Sequence, residues 1–402
     1  MRGAGPESER PSLSELFTVF LRLALLGFGG PNAHLALMLE EVVERRGWLT
    51  REEFLELMAV TNLLPGPNSS EMAIHVGYTA RGVPGALVTG LTFLAPAFFM
   101  VTGLSWLYFE YGSVPALGPV LFTLKPIVLA IILRAGVKLA RTAVTGGLEV
   151  VLAAAGLAIA VLYDGWVVPA MLLGGVVTWA VGRGKPRGSG TLAVWVPLPF
   201  LTASQAGAGR TGSALAGGGL MASLAAILPT WALAGVVHLG IGLVLFGGGY
   251  TLVVLLQPIA VGEYAWLTAG QFLDGVAITQ AVPGPISTLA AFVGFSAAGF
   301  GGATLATAGI YLPAFLAVLI VAPRFARLRQ VAGIKAALRG VSAVVAGSLL
   351  GVALTLAPPA VPGITGGVIF SVSAAALLSG RITPLALILT GLAGGVVAGV
   401  VG

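Results

Sequence analysis

Cysteine is absent from the 402 residues, which excludes disulfides and any thiolate-held metal. Charge is scarce as well. Asp, Glu, Lys and Arg together make up 9% of the chain, against about 25% in soluble domains. The period-two alternation of a transmembrane barrel is missing. So are a Walker motif, an HExxH and a GxSxG in a strand–turn–helix setting, so an enzyme is not expected and no cofactor is implied. What remains is apolar: 57% hydrophobic residues and 59 glycines. Runs such as "LEVVLAAAGLAIAVLY" and "GGVIFSVSAAALL" read as membrane spans, which need about 20 apolar residues each, and small residues let helices approach closely in lipid. The N-terminus shows no apolar run followed by a small-residue cleavage site, so a cleaved signal peptide is not expected. The net charge of +6 resides in short loops between spans. It reads as an orientation signal rather than a nucleic-acid surface. The expectation is an all-α polytopic membrane protein, bounded by lipid and without a nucleic-acid partner.

The chain repeats itself. At a constant offset of 218, Phe28, Gly29 and Gly30 match Phe246, Gly247 and Gly248. Trp48, Leu49 and Thr50 match Trp266, Leu267 and Thr268, and Phe54 matches Phe272. Pro65, Gly66 and Pro67 match Pro283, Gly284 and Pro285. After one deletion the offset becomes 217, and "VGYTARG" aligns with "VGFSAAG". Repeats of this kind mark a duplicated architecture. Two domains are therefore expected, 1–183 and 219–402, joined by a Gly/Ser/Arg-rich linker at 184–218.

Equivalent loops differ in charge. The loop after the first span carries Arg45, Arg46 and Arg51, whereas its counterpart "QPIAVGEYAWLTAGQ" has no Lys or Arg. Further on the bias reverses: "YFEYGSVPALGP" has no basic residue, while its counterpart holds Arg324, Arg327, Arg329, Lys335 and Arg339. Arg134, Lys138 and Arg141 likewise face the neutral "LAPPAVPG". Cytoplasmic loops carry the Lys/Arg excess, so matching loops belong on opposite sides and the two repeats are inverted. Arg81 belongs on the side of Arg45 and Arg51, which makes 52–80 a re-entrant helical hairpin with "PGP" at its tip. Single spans are expected near 16–39, 84–107, 119–134, 144–163 and 166–182. The second half repeats them near 221–256, 303–322, 340–357, 363–380 and 384–401. That gives about ten transmembrane helices plus two re-entrant hairpins, with "FGGP" and "FGGGY" breaking the first span of each half.

Irregular backbone at membrane depth survives only where protein or a watery cavity covers it, and transporters build ion sites from such breaks. A half-helix starting after "PGP" presents unpaired N–H groups and a positive dipole end. Asn68 is an N-cap candidate, with Glu71 spaced as in a capping box. Ser69, Ser70, Ser287 and Thr288 add hydroxyls beside the tips, and the flanking glycines allow close approach to backbone amides. Both oxyanion and cation remain open, with the donor count favouring an oxyanion. Intramembrane charge is costly and functional by default. Arg22 is read either as lining the path or as snorkelling to a headgroup, and Lys125 either as lining it or as marking a helix end, with Lys335 and Arg339 in a loosely similar place in the second half. Glu71, His75 and His34 are the candidates for proton handling, since histidine titrates near physiological pH. The bland reading is that Glu71 caps its helix and His75 bonds a neighbour. His238, on an apolar run, is expected to pack. The carboxylates of "LMLEEVVERRGWLTREEFLE" are expected in a solvated loop and not at a metal.

"FGGP" followed by "LPGPN", then "FGGGY" with "VPGP" and a final "LPAF", resembles the chromate ion transporter family in its long, two-domain form. The resemblance implies export of chromate or a similar oxyanion across the cytoplasmic (inner) membrane, coupled to the proton gradient, with the halves in opposite orientation. By position it points to Phe28, Gly29, Gly30, Pro31, Asn62, Pro65, Gly66, Pro67 and Asn68. In the second half it points to Phe246, Gly247, Gly248, Gly249, Tyr250, Gln280, Pro283, Gly284 and Pro285. Gln280 stands where the first half has Asn62, and Ile286 where it has Asn68, so the second tip is the less polar. Sulfate transport, an oxyanion channel, a membrane-embedded enzyme or assembly subunit, and homodimerisation stay open.

Overall fold

The computed structural model describes residues 11–111, 118–163, 166–182, 220–246, 248–321 and 332–401. The linker at 184–218, Gly247 and the arginines at 324, 327 and 329 lie outside these residues. All regular structure among the described residues is helical. In the first half the helices are α1 (Leu13–Leu26), α2 (Pro31–Met38), α3 (Arg51–Thr61), α4 (Asn68–Tyr111), α5 (Gly118–Ala143), α6 (Gly147–Leu162) and α7 (Val167–Gly182). In the second they are α8 (Leu220–Ile227), α9 (Thr230–Leu243), α10 (Thr251–Gln257), α11 (Ala269–Ala281) and α12 (Leu289–Val321). They are followed by α13 (Ala332–Thr355), α14 (Ala357–Ala360), α15 (Gly363–Leu378) and α16 (Pro384–Val401). Among the described residues four helical stretches are long and apolar enough to cross a membrane: Asn68–Tyr111, Gly118–Ala143, Ile286–Ile320 and Lys335–Thr355. Shorter apolar helices accompany them.

The local structure follows the repeat. The first expected span of each half is broken, with α1 giving way to α2 across 27–30 and α9 to α10 across 244–250. Each continues into a π-helical turn, Leu39–Arg45 and Pro258–Glu263. Thr50 and Glu53 form a capping box at the start of α3, and Thr268 and Gln271 form its counterpart at α11. α3 and α11 have 11 and 13 residues. At about 1.5 Å per residue they reach roughly half way through a hydrocarbon core about 30 Å thick. The chain then turns at "PGP" and runs back.

Neither α4 nor the stretch from Ile286 to Val321 is a single rod. Arg81 and Gly82 leave helical geometry, with Gly82 at φ 62° and ψ −145°. Ala298 and Gly299 do the same 217 residues later, with Gly299 at φ 58° and ψ −145°. These folds let 68–80 return antiparallel along 83–111. A Cβ on Gly77 would overlap Gly85 O, and one on Gly294 would overlap Gly302 O. The glycine pairs therefore set the separation of the two arms.

Packing crosses between the halves. α6 and α7 lie on α13, while α15 and α16 lie on α5. Glycines make the closest approaches, with Gly156 against Val344 O and Gly395 against Val120. Apolar packing of this kind substitutes for a hydrophobic driving force that lipid does not supply.

Several expectations need correction. The span at 119–134 is part of a helix that continues to Ala143, so Arg134 and Lys138 stand on a helix rather than in a loop. The span expected at 340–357 starts earlier, within α13. The acidic stretch after Met38 is also helical, because its charges pair with one another. Arg45 meets Glu40 at 2.5 Å, and Arg46 meets Glu41 at 2.9 Å and Glu15 at 2.7 Å.

The hairpin tips have no room to spare. Gly66 and Gly284 stand at φ 152° and 132°. A Cβ on Gly66 would overlap the Glu71 carboxylate and come within 2.9 Å of Ala314 Cβ, and one on Gly284 would come within 2.5 Å of Ala97 Cβ. Ala97 and Ala314 are themselves repeat equivalents. Gly284→Ala is expected to cost about 1–3 kcal/mol by overpacking. Melting of the purified protein in detergent, compared with Gly301→Ala in an open part of the second half, measures it.

Candidate functional site

The two tips dock into each other's broken helices. Gly66 N–H donates to Leu245 O at 2.8 Å, and Gly284 N–H donates to Gly27 O at 3.0 Å. Donors and acceptors are related by the same offset of 218. These amides are consequently committed across the repeats and are not left for a ligand, which corrects the expectation that the whole tip offers open donors. Donors do remain at the helix starts. Ser70 and Glu71 amides bond Pro67 O, and the Thr288 amide bonds Pro285 O. The Asn68 and Ser69 amides, and those of Ile286 and Ser287, precede the first helical carbonyl that could receive them.

Asn68 is not the N-cap. Pro67 O receives the first helical bonds, and the Asn68 side chain donates to Asn62 Oδ1 at 2.6 Å. Glu71 makes no capping box, because both its carboxyl oxygens are buried without a hydrogen-bond partner. Gly66 lies against this carboxyl and keeps it inside. The matching place in the second half has Ile286 where the first has Asn68 and Thr288 where it has Glu71, with Thr288 Oγ1 donating to Pro285 O and Gln280 Nε2 donating to Tyr250 OH, both at 2.8 Å.

Between the tips lies a cluster of hydroxyls. Tyr311 OH and Ser287 Oγ share a hydrogen bond of 2.6 Å, and the same phenol neighbours Ser70. One residue of α12 therefore joins the starts of both returning arms. Ser69, Ser70, Glu71 and His75 supply five of the ten buried side-chain polar atoms that have no partner among the described residues. Buried polar groups are normally satisfied, so these exceptions within seven residues stand out among the described residues. His75 Nδ1 lies 3.3 Å from Thr61 Oγ1, which donates to Leu57 O at 2.8 Å. With that hydroxyl proton committed, Nδ1–H is the donor and Nε2 is the bare nitrogen. Glu71 and His75 stand one turn apart on the same helix face.

Other expected residues are placed elsewhere. Gly29, Gly30 and Gly248 occupy the breaks at φ 104°, 80° and 100°. His34 Nε2–H donates to Gly27 O at 2.8 Å, on the carbonyl that also receives the second tip. His34 thus serves as a positioning group for that tip. Arg22, Lys335 and Arg339 are exposed and do not converge on the tips. His238 is buried, bonded to Ala234 O and stacked on Trp266, as expected of a packing residue. Lys125 lies against the foot of α11, where its Nζ is 3.4 Å from Asp274 Oδ2. Tyr108 OH donates to the same oxygen at 2.8 Å. Asp274, Tyr108, Thr61 and Tyr311 were not singled out from sequence. Asp274 carried a signal, since it is the repeat equivalent of Glu56 and a lone carboxylate in apolar sequence. Tyr311 carried none, because Leu94 stands at its equivalent. Among the described residues no group of His, Asp and Glu is arranged to hold a metal.

A buried carboxyl without partners is a cost to the fold. Glu71→Met, close in volume, is therefore expected to stabilise the purified protein by about 1 kcal/mol or more while impairing its activity. A melting temperature below that of the unaltered protein would contradict this.

Comparison with known proteins identifies the family. The model of the chromate transporter family matches residues 14–179 and again 231–398, once in each half. A chromate transport protein of Cupriavidus metallidurans is 31% identical over 374 residues, covering 91% of this chain and 88% of that protein. One from Pseudomonas aeruginosa is 33% identical over 358 residues, covering 88% and 84%. A probable chromate transport protein of Synechococcus elongatus is 29% identical over 356 residues, covering 86% and 84%. No solved structure matches the chain. With the family matched in both halves and relatives aligned over most of their length, this chain belongs to the chromate transporter family.

Proposed function

We propose that this protein is a secondary active transporter that exports chromate and similar tetrahedral oxyanions across the cytoplasmic membrane, driven by the proton gradient. The relatives named as chromate transport proteins support the substrate. The observation that carries the reading is the meeting of the two tips, where free helix-start amides lie beside the hydroxyls of Ser69, Ser70, Ser287 and Tyr311. Helix starts favour anions, and hydroxyls complete the shell of a tetrahedral oxyanion without adding charge. The first tip, with Asn62 and Asn68, is the stronger holder. The second, with Ile286 and the Gln280–Tyr250 pair, is the weaker. Packing of the tips on Ala97 and Ala314 supports a carrier over an open pore.

The membrane arrangement belongs to the same proposal. Residues 1–183 and 219–402 form two repeats of opposite orientation, with about ten spans and two re-entrant hairpins. Loop charge supports the inversion. The absence of native cysteine makes a direct check simple. Single cysteines at Glu52 and Gly262, at the feet of the two hairpins, are expected to react with an impermeant maleimide from opposite faces of the membrane. Reaction from one face at both positions would sink the inversion.

Everted membrane vesicles containing the protein are expected to take up chromate saturably, and added sulfate to reduce that uptake. Asn68→Ala with Ser69→Ala is expected to raise the chromate KM roughly fivefold to tenfold, about 1–1.5 kcal/mol for lost hydrogen bonds. Protein-dependent uptake that is absent under every imposed proton gradient would refute the exporter. An unchanged KM in a normally expressed variant would restrict both residues to a structural role.

A further inference from the structure

The oxyanion site leaves one cluster of charge unused. Asp274 lies five residues into α11 and is 2% exposed. Its Oδ2 receives both Tyr108 OH (2.8 Å) and Lys125 Nζ (3.4 Å), whereas its Oδ1 is buried and has no partner. Lys125 remains partly exposed, and a Cβ on Gly270 would lie 3.5 Å from its Nζ. The ammonium has three donors, and the structure gives one of them an acceptor, at a long distance. The equivalent foot of the other hairpin differs: Glu56 helps to line a surface hollow with Arg51, Glu52, Leu55 and Ala59. One foot is sealed around its acid, and the other opens to the surface.

Charge counting gives the sealed foot a role. With Asp274 ionised, the pair with Lys125 is neutral. A dianion drawn to Lys125 would place two further negative charges beside an ionised carboxylate in a poorly screened setting. Protonation of Asp274 removes one of those charges and releases Lys125 from its partner. The other elements packed on α11 provide no substitute. α10, α12, α14 and α16 carry no Asp, Glu, Lys, Arg or His, and the π turn adds only Glu263. Charged and titratable groups facing Asp274 are thus Lys125 from α5 and Tyr108 from the long arm of α4.

We propose that Asp274 is the proton-accepting residue of the transport cycle on the side from which the second hairpin enters. It stands in for the anion on Lys125 and surrenders Lys125 to the oxyanion as a proton arrives on Oδ1. The one covalent change is the O–H bond that forms at Oδ1 with a proton from the aqueous phase on that side and breaks when the proton is passed on toward the other side, while one ammonium contact passes from Asp274 to the oxyanion. This rests on the exporter reading and assigns its proton coupling to a residue outside the tip cluster.

The full-length protein, reconstituted in liposomes, separates the outcomes by two modes of chromate transport. One is exchange of internal for external chromate without a pH gradient, and the other is accumulation driven by a pH gradient. Asp274→Asn is expected to keep exchange and lose driven accumulation, because a permanently neutral side chain releases Lys125 without carrying a proton. Tyr108→Phe removes a hydrogen bond that favours the ionised carboxylate, so the proton is taken at higher pH. The pH of half-maximal driven transport should therefore rise by about half a unit to one unit. Driven accumulation that survives in Asp274→Asn overturns the assignment. So does an unmoved pH profile in Tyr108→Phe, the variant that decides the matter if the other does not fold. A charge-swapped protein, Lys125→Asp with Asp274→Lys, that still accumulates chromate would show a merely structural ion pair. Absence of exchange in the unaltered protein would instead defeat the oxyanion-carrier reading itself.

Discussion

In hydrocarbon an unpaired peptide group has no water to receive it, so a break in a buried helix must be repaired by another part of the chain. Here each repair is made by the opposite half. The Gly66 and Gly284 amides close on Leu245 O and Gly27 O. Each bond ties a hairpin tip to the interrupted helix of the other repeat. A single hydrogen bond of this type is worth about 0.5–1.5 kcal/mol in net terms, but leaving either end unmade in lipid costs more than that. The two bonds therefore locate both tips, and the tips locate every helix start that faces the centre.

That constraint accounts for the glycines. With Ala97 and Ala314 pressed on the tips, a side chain at Gly284 or Gly66 has nowhere to go. The scaffold uses the same exchange on a larger scale, since α6 and α7 cover α13 while α15 and α16 cover α5. Neither half buries its own apolar faces alone. Duplication has produced two interlocked units rather than two independent ones.

Symmetry in backbone is not matched by symmetry in chemistry. Around the first tip the returning arm carries Glu71 and His75, and in the second their places are taken by Thr288 and Phe292. The descending limb shows the reverse, with Asp274 sealed by Lys125 and Tyr108 and its counterpart Glu56 beside a surface hollow. The unequal distribution of buried acids makes the two hairpins chemically different without altering the shared frame.

Much of this was legible in the residues. Periodicity of motifs exposed the duplication, and proline and glycine marked the tips and breaks, whereas the capping boxes at Thr50–Glu53 and Thr268–Gln271 emerged only in the structure. The motifs, prolines and glycines are local signals, set by backbone geometry and solvent, and a linear sequence records them. The partners of Glu71, His75, Lys125 and Asp274 were not legible. Glu71 was left between proton handling and capping its own helix, and Lys125 between lining the path and marking a helix end. Their fates depend on which helix passes within a few ångströms, and Lys125 and Asp274 are 149 positions apart only along the chain. Local conformation and the inverted charge pattern were determined by the sequence itself. Which polar groups were paired, which were sealed, and which were buried without a partner was decided only by tertiary packing, because desolvation and hydrogen bonding act through space.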